Sequence, residues 1–143
     1  MNLPDFLLGI HDEPEPGALP DDAFWTIISE ETGINPQARG RDYRAIPGMP
    51  IVRLNHAYNP RCTLPAPHLY DVWAETCASW VATSHGCHIW IIANEWNLSA
   101  ERPDGAPTFP AMYAQCYRMA RYRIKTLPGH ADDLVLLAAV GPW

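Results

Sequence analysis

The stretch Trp90–Asn97, WIIANEWN, runs apolar through Ala93 and then closes on an amide, a carboxylate, an indole and a second amide. A continuous apolar run of this length fits a parallel strand whose faces are both covered. The carboxyl ends of such strands line the ligand crevice of an open sheet or the mouth of a barrel. An ionisable group at that end is held beside a hollow by a stiff element. Glu95 is therefore the first candidate for chemistry.

Four further runs repeat the design on either side. With His88–Trp96, the stretches Phe6–Asp12, Phe24–Glu31, Pro50–Tyr58 and Asp133–Trp143 make five expected strands. Histidine and aspartate close the first, glutamates the second, asparagine and histidine the third, asparagine and glutamate the fourth. Two amphipathic segments separate the later strands. Leu69, Val72, Trp73, Cys77, Trp80 and Val81 recur at three- and four-residue steps, which predicts a helix over 69–81 with Gly86 as its stop. Met112, Cys116, Ala120, Ile124 and Leu127 predict a second helix over 111–127, with Pro110 at its start and Pro128-Gly129 beyond its end. Arg118, Arg121, Arg123 and Lys125 then occupy a solvated face. Strands alternating with helices imply right-handed crossovers and a parallel sheet. The fold class expected is α/β, in one domain spanning residues 1–143.

The 143 residues are enough for one domain with a real core. A hydrophobic share of 48% against 18% charged fits a packed globular chain and argues against disorder. The net charge of −6 disfavours nucleic acid or an anionic membrane as the main partner. No stretch approaches the roughly 20 apolar residues of a membrane span. The start, MNLPDFLLGI, lacks a basic leader region, so the chain as given is expected in the cytoplasm, or outside the cell if it is a fragment. Cys62, Cys77, Cys87 and Cys116 are scattered without a CxxC pair and read as buried free thiols. The HGCH stretch, His85–His88, has no second ligand cluster at matched spacing, so no metal and no cofactor are expected.

An Asn-Glu pair ending a fourth strand, here Asn94 and Glu95, resembles the acid/base signature of clan A glycoside hydrolases, the retaining (β/α)8-barrel enzymes. IVRLNHAY upstream, and YAQCYRMARYRIKTLPG leading into LLAAVGPW, are also similar to an uncharacterised bacterial group of such barrels. The resemblance implies a partial TIM-type (β/α) barrel of about five parallel strands, helices outside, acting on oligo- or polysaccharide. Glycosidic cleavage needs a carboxylic acid to protonate the leaving oxygen. In retaining enzymes a second carboxylate about 5–5.5 Å away attacks the anomeric carbon. By resemblance Glu95 is the proton donor, and Asn94 bonds the sugar hydroxyl beside the reacting carbon. Trp96 and Trp143 are stacking candidates, while Arg53, Asn55, His56 and His11 sit where substrate-orienting groups belong. Strand phase alone leaves open which of these enter the mouth.

The pattern departs from the family in two ways. Trp96 stands where proline commonly follows the pair. The chain also stops at its fifth strand, well short of the about 250 residues of a full barrel. The family nucleophile, a glutamate ending the seventh strand, is absent, and nothing in the resemblance supports Glu30, Glu31, Asp12 or Glu13 in its place. Weak or no hydrolysis by this chain alone is expected. The blander readings are a carboxylate capping a loop or paired with Arg53, a non-catalytic carbohydrate-binding module, and a structural half-barrel fragment. Apolar strands at both sheet edges imply a homo-oligomer, or the remainder of a barrel, as cover.

Overall fold

The computed structural model describes residues 8–11, 24–58 and 62–142. Five strands form one parallel sheet in sequence order: β1 (Leu8–His11), β2 (Phe24–Glu31), β3 (Met49–Asn55), β4 (Ile89–Ile92) and β5 (Leu134–Leu137). Every expected strand is present, and all point the same way. Helix α1 (Tyr70–Ala82) links β3 to β4, and α2 (Pro110–Lys125) links β4 to β5. The two helices pack on each other and on the same face of the sheet.

Strand alternation divides the sheet chemically. Ile28, Val52, Leu54, Trp90, Ile92 and Val135 meet Trp73, Cys77 and Val81 of α1 and Cys116, Ala120 and Ile124 of α2 in one buried cluster. On the other face the register aligns Ile27 with Ile51, and Ser29 with Arg53, Ile91 and Leu136. None of these is fully buried. One face is thus the core, and the other is an apolar surface punctuated by Arg53 and Ser29.

The long connection from β2 to β3 contains no helix. Side chains do a helix's work instead. Tyr43, fully buried, meets Trp90 edge to face at 6.3 Å, donates to Glu30 Oε1 at 3.1 Å and accepts from the Trp80 indole at 3.1 Å. A parallel bridge between Asp42 and His85 pins the same segment beside the exit of α1.

Two local expectations are corrected, Gly86 as the helix stop and the reach of β4. α1 ends at Ala82, before Gly86, because the Thr83 and Ser84 hydroxyls bond back to Ser79 and Trp80 carbonyls. Gly86 serves the Asp42–His85 bridge: its φ is +79°, and a Cβ there would meet the Arg44 backbone nitrogen at 2.8 Å. β4 stops at Ile92 because Ala93 turns left-handed at φ +65°, so Asn94–Trp96 leave the strand. The four cysteines are buried thiols outside any disulfide, as expected, with Cys77 and Cys116 on the apolar stripes of α1 and α2.

Candidate functional site

Parallel order brings the ends of β1, β2, β3 and β4 to one edge, so His11, Glu31, Asn55 and the loop carrying Glu95 lie along it. His11 closes β1, while Trp143, Asp12 and Glu13 lie outside the described residues. The strand phase left open by the sequence is resolved for β3. Arg53 and Asn55 share the helix-free face, and Arg53 Nη1 donates to Ser29 Oγ at 3.3 Å across to β2. Asn55 is buried at the tip beside Glu31, and its Oδ1 has no hydrogen-bond partner among the described residues. A buried amide oxygen in that condition costs free energy unless something donates to it. His56 follows the strand, where its backbone nitrogen donates to Thr63 O and its carbonyl accepts from Gly33.

The loop after β4 is built from two left-handed residues. Ala93 and Glu95 have φ +65° and +22°, and neither is glycine. Such backbone is disfavoured by about 1–3 kcal/mol per residue and persists where surroundings enforce it. Thr63 supplies part of that enforcement, donating its hydroxyl to Asn94 O at 2.9 Å. The Asn94 side chain is tied down as well, with Nδ2 donating to Glu101 Oε1 at 3.4 Å. Leu98 N bonds to Glu95 O at 2.8 Å. The Glu95 carboxyl, partly buried, makes no hydrogen bond or ion pair among the described residues. Pairing with Arg53 is therefore not its role in this structure.

Trp96 is a correction. Expected as a sugar platform in the mouth, it is buried against α2, its ring stacked on Tyr113 at 5.0 Å and 8°. It lines two neighbouring hollows of about 400 and 470 Å³, which also share Pro110 and Val140. Neither hollow is lined by Glu95, Asn94, Arg53 or Asn55. The reason is the short β4: with the backbone reversing at Ala93, the indole swings toward the helix layer.

The opposite edge holds a second polar cluster that the sequence did not disclose. Asp133, immediately before β5, accepts from His88 Nδ1 at 2.7 Å, His130 Nδ1 at 2.8 Å and the Trp90 indole at 2.7 Å. Burial pushes its carboxyl upward, but the His130, Trp90 and His88 hydrogen bonds outweigh that and hold it below the usual carboxylate range. Forty-five residues separate His88 from Asp133, and only the register Ile89 to Leu134 joins them. The single signal available was that each residue directly precedes an apolar run.

The fold and these sites define an α/β protein with a singly wound parallel sheet and polar chemistry at both strand ends. No family model, curated protein or solved structure matches the chain.

Proposed function

We propose that this chain is a carbohydrate-directed scaffold of (β/α)-barrel glycosidase type, covering the first five strands, with Glu95 as its proton donor. The observation that carries the reading is the Glu95 carboxyl. It sits just past a strand's carboxyl end, on strained backbone, with no partner among the described residues. Structural carboxylates are ordinarily paired; a group kept for substrate is not. The buried Asn55 Oδ1, on the last residue of the neighbouring strand, adds a second acceptor without a partner among the described residues. Sequential strand order with helices on one face supports a half-barrel reading. The finer barrel assignment rests on this and on the Asn94-Glu95 resemblance.

Protonating a glycosidic oxygen is the step Glu95 would perform, and a second carboxylate would have to come from outside the resemblance. Hydrolysis of aryl glycosides is accordingly expected to be slow, and slower still in Glu95→Gln. Oligosaccharide binding by both proteins with equal inactivity would leave a non-catalytic binding module. The absence of both binding and turnover would reject the carbohydrate reading altogether.

An assembly role is the second reading, favoured by β5. Among the described residues that strand pairs only with β4, and Leu134, Leu136, Leu137 and the following Val140 are exposed. An apolar edge of this kind recruits other chains or further strands of its own. Light scattering that finds a compact monomer at high concentration would oppose it.

A further inference from the structure

We infer that His88, His130 and Asp133 bind one divalent metal ion of the zinc type, stapling the start of β4 to the turn between α2 and β5. The inference stands on the amino edge of the sheet and is independent of the carbohydrate reading.

Three separate places in the chain supply the ligands. His88 directly precedes β4, His130 lies in the turn after α2, and Asp133 directly precedes β5. One donor atom from each lies within 4.8 Å of the others. The two nitrogen-to-carboxylate separations, 2.7 Å to Oδ1 and 2.8 Å to Oδ2, are hydrogen-bond contacts that would open by roughly half an ångström or more to the about 3.3–3.6 Å between neighbouring ligands of a tetrahedral ion with bonds of about 2.0–2.2 Å. Loading the site needs small side-chain shifts about the ion rather than a change of backbone. His88 has that freedom, because its side chain is 55% exposed, whereas the Asp133 side chain is 2% exposed.

The carboxylate is held in place by its hydrogen bonds before any metal arrives. Its indole partner Trp90 is a core residue and would keep its hydrogen bond in the loaded site, the outer-shell contact that orients a ligating carboxylate. Each imidazole can bind through Nδ1 by carrying its proton on Nε2, so neutral histidines create no new charge. The ion takes the place of the two Nδ1 protons that now bridge to Asp133. Two imidazoles and a carboxylate suit zinc, cobalt or nickel and suit magnesium or calcium poorly. Lys125 is the nearby cation: its Nζ donates to the Asp133 backbone carbonyl at 2.8 Å, not to the ligating oxygens. Its charge and the three-ligand set together place affinity below that of a closed four-ligand site.

The test is calorimetric titration of the chelator-treated, folded protein with ZnCl2, with bound Co2+ followed by its visible spectrum and melting followed with and without metal. One equivalent of zinc, a raised melting temperature and no competition from Mg2+ are expected. His88→Ala should weaken binding at least tenfold, and the His88→Ala/His130→Ala pair should abolish it. His85→Ala, outside the cluster, should bind as the parent does. If His130→Ala does not fold, His88→Ala decides alone, since its exposed ring packs little. No saturable binding, or binding unchanged in His88→Ala, overturns the inference and leaves a hydrogen-bonded cluster that needs no ion.

Discussion

The two edges of the sheet are built from the same topology and finished in opposite ways. At the amino edge Asp133 is fully partnered by two imidazoles and an indole. At the carboxyl edge Glu95 and the Asn55 Oδ1 stand without partners among the described residues, on or beside backbone bent into disfavoured conformations. The first edge spends its polar groups on holding the fold together. The second keeps them available. On the proposed reading, fold stability rests on the amino edge and carbohydrate recognition on the carboxyl edge of the same strands.

Substitutions should separate the two edges by size of effect. Trp90→Ala removes a fully buried indole from the core and strips Asp133 of a donor. A loss of about 3–5 kcal/mol in urea denaturation is expected; a loss under 1 kcal/mol would mean that the amino edge does not anchor the sheet. Asp133→Asn should cost about 1–3 kcal/mol by weakening three hydrogen bonds. Its pH behaviour sharpens the point. A carboxyl depressed in the folded state contributes stability that is present above its unfolded value and lost as pH falls through the folded one. The parent should therefore soften below about pH 4, and Asp133→Asn should soften less over the same range. Glu95→Gln, by contrast, should leave stability within about 0.5 kcal/mol, since no folded contact is removed. A large destabilisation there would make Glu95 a structural carboxylate after all. The smallest effect is in thiol chemistry. Burial pushes the Cys87 thiol up to about 12, so thiolate is scarce at neutral pH and native labelling should be slow.

Much of the scaffold was legible in the chain. WIIANEWN and its four counterparts announced five strands because buried parallel strands must be continuously apolar, and both helices declared themselves by three- and four-residue steps. Ends were less legible, for two physical reasons. Left-handed backbone at Ala93 has no side-chain signature, since alanine normally avoids it, so β4 looked longer than it is and Trp96 was aimed the wrong way. Gly86 looked like a helix stop, when its missing side chain serves the close approach of Arg44. The Asp133 cluster was invisible for another reason. His88 and Asp133 become neighbours only through strand register, and no local spacing encodes register.

Sequential strand order has a kinetic corollary. Each strand lies beside the one just before it in the chain, yet every pairing closes over a crossover, so non-local parallel pairing sets the pace of assembly. The block from β3 to β5 carries both helices and offers the natural nucleus, with β2 joining afterwards through Tyr43. Mutational φ-values should then be high around Val52 and Ile92 and fall toward Ile28. Accretion of this sort proceeds sideways, one crossover at a time.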